Sequence, residues 1–155
     1  MRQHAFILLI VVFYLAGCAS VPMASDEVDQ RAKEFSPPAE GMAGLYIYRN
    51  SYFGAALRKS VYVDDELIGR TAPMTYFYKE VEAGERKVST QSEFGNNELI
   101  INTEAGQHYF IQQYIKLGVL VGGANIKLMS EEEGKKGVME CKLVDQSAQL
   151  AIKTD

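Results

Sequence analysis

From Gly44 onward the chain alternates apolar and polar residues with a period of two, and turn residues interrupt the pattern about every 8–12 positions. This constrains the fold more than any other feature of the sequence. The first run is Leu45-Tyr46-Ile47-Tyr48-Arg49, rich in aromatic and β-branched residues that suit a pleated surface. Further runs occupy 60–63, 66–69, 74–78, 86–91, 98–103, 107–117 and 125–129, and Asp64-Asp65, 82–85, 95–97 and Ala105-Gly106 turn the chain between them. Gly118 and Gly122-Gly123 bracket Val119-Leu120-Val121 as a bend between strands. On 107–117, Tyr109, Ile111, Ile115 and Leu117 form the core face, and His108, Phe110, Gln112, Tyr114 and Lys116 form the other. The expected architecture is mainly β, an antiparallel β-sandwich over 41–145, with short helices at its margins.

A helix is expected before the first strand. Ser25 or Asp26 caps it, Val28, Ala32 and Phe35 share one face, and Pro37-Pro38 stops it. At the other end Ser130 precedes Glu131-Glu132-Glu133, with Lys135 and Lys136 following at helical spacing. A helix there competes with a charged loop leading into a strand over 138–144, and the helix is preferred despite Gly134 and Gly137. Residues 146–155 are expected to form a loosely held tail.

The amino-terminal 17 residues belong to a different physical class. Arg2 supplies a positive start, and residues 5–15 are apolar and uncharged. Such a run is too short for the roughly 20 residues of a membrane span and fits an export leader. It closes on Leu15-Ala16-Gly17-Cys18, which resembles the lipobox of bacterial lipoproteins. The resemblance implies cleavage between Gly17 and Cys18, a diacylglyceryl thioether on the Cys18 sulfur and acylation of the new amino terminus. An ordinary secretory leader with an incidental cysteine, or an uncleaved anchor helix, is the plainer alternative. Residues 18–40 would then be a lipidated tether containing the short helix, with a coil reach of roughly 25 Å for about 20 residues. Residue 19 is Ala rather than Asp. In enteric-type bacteria that implies the periplasmic leaflet of the outer membrane.

Loss of Arg2 with the leader takes the basic residues from 16 to 15 against 20 acidic, a net charge of about −5. That balance argues against nucleic-acid partners. Once Cys18 is lipidated, Cys141 has no intramolecular partner, so burial as a small apolar side chain is expected over an intermolecular disulfide.

Two further resemblances follow from longer segments. Residues 61–73 and 81–88, with a strand, an acidic hairpin, Gly69, Thr71-Ala72-Pro73 and Ala83-Gly84, are similar to the PEGA-type repeat of envelope proteins. Ala32-Lys33-Glu34-Phe35, Pro37-Pro38, Gly44 to Arg49 and Ala105 to Phe110 resemble the bacterial lipoproteins that carry domain of unknown function 2846. Together they imply a PEGA-like, prealbumin-like β-sandwich with no assigned activity, and they supply no catalytic residues.

The residues themselves offer little chemistry. His108 is the one histidine left after the leader, with no Gly-x-Ser-x-Gly and no adjacent partner for a nucleophile. One His and one Cys fall short of a zinc site. Asp64-Asp65-Glu66 is better read as a turn than as a calcium loop, and residues 118–123 lack the Lys-Ser/Thr of a phosphate loop. No catalytic, cofactor or metal residue is therefore assigned, and the site residues are Gly17 and Cys18 of the processing junction. The tyrosines leave two readings open. Tyr46, Tyr48, Tyr76 and Tyr78, near Tyr52, Phe53, Tyr62 and Phe77, are either core and cross-strand pairs or an exposed aromatic face for a glycan or small ligand. The expected function is a lipid-anchored, non-enzymatic envelope module whose partners are the membrane and an envelope protein. The alternative is a glycan or small-ligand binder that uses the aromatic face, and an enzyme built on His108 is a third reading.

Overall fold

The computed structural model describes residues 20–152. Helix α1 (Asp26–Ala32) precedes β1 (Met42–Arg49), β2 (Lys59–Val63), β3 (Glu66–Thr71), β4 (Thr75–Glu82), β5 (Gly84–Gln91), β6 (Asn96–Thr103), β7 (His108–Lys116) and β8 (Gly123–Met129). Helix α2 (Glu131–Met139), the short β9 (Lys142–Leu143) and helix α3 (Gln146–Ala151) complete the described chain.

The strands form two sheets, one ordered β8-β7-β1-β4-β9 and one ordered β3-β2-β5-β6. Between them lies a core of Leu45, Ile47, Val61, Val63, Phe77, Val88 and Ile111. The fold is thus the expected mainly β sandwich, with two corrections. The five-stranded sheet is mixed, because β7 runs parallel to β1 and β9 runs parallel to β4. Alternation reports which residues share a face, and it carries no information on the direction of the neighbouring strand. The second correction is a third layer. Helices α1 and α2 cover the outer face of the five-stranded sheet, where Tyr46, Tyr48, Tyr76, Phe110, Val138 and Cys141 form a separate buried cluster. β1 is therefore buried on both faces from Ala43 to Arg49.

Local sequence explains most elements. Ser130 accepts from the Glu133 amide at 3.3 Å and donates to the Glu133 carboxylate at 2.8 Å, a side-chain N-cap that starts α2 where a helix was expected. Gly134 and Gly137 are what seat it. A Cβ on Gly134 would lie 2.1 Å from Phe110 Cβ, and one on Gly137 would lie 2.3 Å from the Tyr48 ring. At the β2–β3 hairpin, Asp64 and Asp65 adopt φ of 50° and 67°, the left-handed pair a two-residue turn requires.

Other expectations are overturned. Phe35 and Ala32 do pack on the outer cluster, but Val28 is 48% exposed and the buried residue of α1 is Asp29. Asp29 faces inward because its carboxylate accepts from the Leu143 amide at 2.9 Å and from Lys33 Nζ at 2.8 Å. Leu117 lies beyond β7 and is 85% exposed, while Gln113 takes a core position. The Gln113 amide donates to Thr90 Oγ1 at 2.6 Å, and its carbonyl accepts from Thr71 Oγ1, a polar tie between the sheets. Val138 lies within α2, so the preferred helix holds over the strand at 138–144.

The margins are also more ordered than the sequence implies. The tail forms α3, capped by Asp145, whose carboxylate accepts from the Ala148 amide at 2.9 Å. The Gln149 side chain bonds both the N–H and the C=O of Arg70, pairing the free edge of β3 as a strand would. At the amino end, Ala24 N–H donates to Leu143 O at 3.0 Å and Asp145 N–H to Pro22 O at 2.9 Å. The chain is therefore bonded into the fold from Pro22, which leaves far less free tether than 18–40 suggested.

Candidate functional site

One end of the sandwich gathers four loops. β1 and β7 finish there together, since they run parallel in register, and β2 begins there after loop 50–58. The corner 72–74 joins them because Arg49 pairs with Thr75 and Lys59 with Thr71. The turn 92–95 joins because β5 pairs with β2 and Gln91 with Asn96. Loop 117–122 follows β7.

Two charged side chains hold this tip. Arg49 is fully buried, and its guanidinium donates to three loop carbonyls, Leu57 at 2.7 Å, Gly54 at 2.8 Å and Phe53 at 3.0 Å. Burial pulls its pKa below the usual guanidinium value. From the turn 92–95, the Glu93 carboxylate accepts from the amides of Val119 at 2.7 Å, Val121 at 3.1 Å and Leu120. Bonding to Leu120 N–H, ahead of the opposing effect of desolvation, holds the Glu93 carboxyl below its ordinary pKa.

With backbone groups thus engaged, the loops present apolar side chains to solvent. Leu117, Val119 and Leu120 are 84–85% exposed, Phe94 is 78% exposed, and Tyr52, Phe53 and Val121 exceed half. Exposed apolar side chains gathered at one end of the sandwich are of the kind that mark an interaction site. The opposite end is acidic, with Asp64 and Asp65 in one turn, Glu82 and Glu85 in the next, then Glu104 and Glu131. There Asp64 pairs with Arg86 at 2.8 Å and Asp65 with Lys87 at 2.7 Å. Among the described residues, no group of three or more His, Cys, Asp or Glu side chains could hold a metal ion.

The aromatic strand face is not a surface. Tyr46, Tyr48 and Tyr76 are at most 1% exposed. Tyr46 stacks on Phe110 with centroids 5.2 Å apart, and its hydroxyl donates to Ala32 O of α1 at 2.7 Å. The Tyr76 hydroxyl reaches Asp29 O at 3.3 Å. Burial pushes the Tyr46 and Tyr48 hydroxyls up to about 12. This corrects the reading of these tyrosines as a glycan or small-ligand face, because the helices take up the apolar area that face would have offered. Exposed aromatics occur at the tip instead, at Tyr52, Phe53 and Phe94.

His108 sits at the rim of the outer cluster, its ring edge-on to Tyr46 with centroids 5.3 Å apart. Its Nε2 is buried without a hydrogen-bond partner. Desolvation lowers its pKa, with Lys135 adding to the effect, so the imidazole is neutral near pH 7. Cys141 is buried, as expected, though at the end of α2 rather than in a strand. Two clefts flank the chain ends. One of about 260 Å³ lies between Val21, Arg58, Leu67 and Leu150, and one of about 670 Å³ between α1 and residues 143–147. Neither contains His108 or Cys141.

Gly17 and Cys18 lie outside the described residues. The residues that sequence reasoning missed are Arg49 and Glu93. Arg49 ends an aromatic strand, where a charge signals only an element boundary, and Glu93 acts on amides 26 to 28 positions away.

Comparison with known proteins adds a family and no activity. A family model described as "Protein of unknown function (DUF2846)" matches residues 39–124, which span β1 to the start of β8. A protein of Haemophilus influenzae described as "Uncharacterized protein" is 56% identical over 128 residues, covering 83% of this chain and 76% of that relative. No solved structure matches. On the family match and this degree of identity, the chain belongs to the DUF2846 family.

Proposed function

We propose that this protein is a lipid-anchored, non-enzymatic module of the bacterial cell envelope. The observation that carries the reading is Leu15-Ala16-Gly17-Cys18 closing an uncharged apolar run that starts after Arg2. The Cys18 thiol accepts a diacylglyceryl group as a thioether, and cleavage before Cys18 frees the amino group whose acylation adds a third chain. One acyl chain binds a bilayer marginally, and two or more hold it stably. Ala19 in place of Asp directs the product to the periplasmic leaflet of the outer membrane. The β-domain then serves as a binding or structural element for an envelope protein. The His108 imidazole, packed edge-on to Tyr46 with no hydrogen-bond partner at Nε2, and the bonded Glu93 carboxylate suit packing and loop support rather than proton transfer.

Labelled palmitate enters the wild-type chain and not Cys18→Ser, and globomycin causes the precursor to accumulate. A mature amino terminus at Cys18 without acyl groups, or an intact leader in the native envelope, overturns the anchor.

A further inference from the structure

We propose that the apolar tip is a bilayer-docking surface, so that the domain rests loop-end down on the same membrane that holds its anchor. This rests on the lipid-anchor reading above and adds an orientation and a contact to it. Three observations converge on it.

The first is the length of chain between the anchor and the fold. Ser20 and Val21 border the corner Ala72 to Thr75, which lies at the tip end of both sheets. Cys18 is two residues upstream of Ser20, and each residue spans at most about 3.6 Å, so the covalent chain limits an anchor at Cys18 to within on the order of 10 Å of that corner. Acyl chains that enter the bilayer there bring the tip to its surface. A long tether would have left the orientation free.

The second is the character of the tip. Leu117, Val119, Leu120, Phe94 and Phe53 project from three adjoining loops and are all more than half exposed. Glu93 occupies the amides of Val119 to Val121, and Arg49 occupies the carbonyls of Phe53, Gly54 and Leu57. Backbone groups satisfied inside the protein are what allow an irregular loop to leave water.

The third is the charge axis. Arg58 and Lys116 are exposed beside the apolar loops, placed for anionic headgroups. Asp64, Asp65, Glu82, Glu104 and Glu131 stand at the far end, where they meet solvent instead of lipid phosphate.

The test uses the full acylated chain in vesicles of phosphatidylethanolamine and phosphatidylglycerol. With Cys18 acylated and Cys141 buried, Leu120→Cys provides a single reactive thiol for an environment-sensitive fluorophore. Phe94→Cys is a second reporter on a neighbouring loop, and Asp65→Cys is the control at the acidic end. Brominated acyl chains quench the labels at 120 and 94 several-fold and leave the label at 65 unchanged. Equal, weak quenching at all three positions in a chain that is acylated and vesicle-bound overturns the docking surface and keeps the anchor. A label at 120 that is shielded from aqueous iodide but untouched by bromolipid places a protein or a second copy on the tip, and overturns the bilayer as occupant. Where mass spectrometry finds Cys18 bare, the labels are placed in a Cys18→Ser background, which keeps one reactive thiol per chain, and these chains are added directly to vesicles. Quenching at 120 and 94 then retains the docking surface without the anchor, and its absence overturns both.

Discussion

Gly134→Ala sets two known effects against each other, and the geometry decides the sign. Alanine is favoured over glycine in a helix interior by about 1 kcal/mol, so on an exposed face the substitution stabilises. Here the new Cβ would stand 2.1 Å from Phe110 Cβ, 2.2 Å from Cγ and 2.8 Å from Cδ1. Carbon atoms in contact need about 3.5–4.0 Å. Phe110 cannot swing aside, because the nearest atom is fixed to the backbone of β7 and the residue is 1% exposed. The helix must instead retreat by roughly 1.5 Å to restore contact distance, which loosens Val138 and Cys141 against Tyr46 and Tyr48. Overpacking costs about 1–3 kcal/mol, and a 2.1 Å contact with a backbone-fixed atom belongs at the upper end, so a net loss of about 2 kcal/mol remains after the propensity gain. With a urea m-value of roughly 1–3 kcal/mol/M, the unfolding midpoint falls by about 0.7–2 M at unchanged m. Equilibrium urea unfolding followed by circular dichroism reads this directly. A midpoint equal to or above wild type would show that α2 does not bear on β7 through Gly134, and the account of the third layer would have to be abandoned.

Arg49→Met removes the donors to three loop carbonyls and costs about 1.5–3 kcal/mol. Limited proteolysis then cuts within 50–58, and a cleavage rate equal to wild type would sink the assigned role. The Cys141 thiol, pushed up to about 12 by burial, stays unmodified by alkylating reagents at pH 8 until urea unfolds the chain. Fast labelling of the native protein contradicts that burial. Burial works against ionisation of Asp29, but its bonds to Lys33 and the Leu143 amide prevail and hold its carboxyl below the ordinary carboxylate range. A depressed folded pKa contributes stability that is present above the unfolded value of about 3.9 and lost as pH falls through the folded one. Docking of α1, followed by amide exchange, therefore holds down to about pH 4 and loosens only below it. Asp29→Asn flattens that dependence, and an unchanged acid profile in the variant would refute the assignment.

The strands were legible because each keeps one face toward a core, which imposes period two on the sequence. α2 was legible because its start depends on residues three apart, Ser130 and Glu133, whatever else surrounds them. What local pattern could not supply was the identity of neighbours. Tyr46 and Tyr48 alternate with Leu45 and Ile47 whether their face meets water or a helix, so the covering layer was invisible. The same holds for α3, whose six residues have little stability alone and gain it by docking Gln149 on Arg70. The tip was half legible. Glycines marked the bend at 118–123, but its exposed apolar residues read locally as ordinary strand composition. Its support from Glu93 is a long-range contact between a carboxylate and backbone that no spacing rule encodes.

The two ends of the described chain are neighbours in space. Met23 bridges Val144, and the Leu143 amide bonds a carboxylate 114 residues earlier. An edge closed by segments this far apart in sequence cannot zip until residues 142–145 are at hand. Bringing such distant residues together carries a loop-closure cost that hairpins such as β2–β3 and β5–β6 avoid, so this edge closes after them. The pairs β1–β4, β2–β3 and β5–β6 need nothing from that segment, but the outer edge of β4 stays open until residues 142–144 reach it.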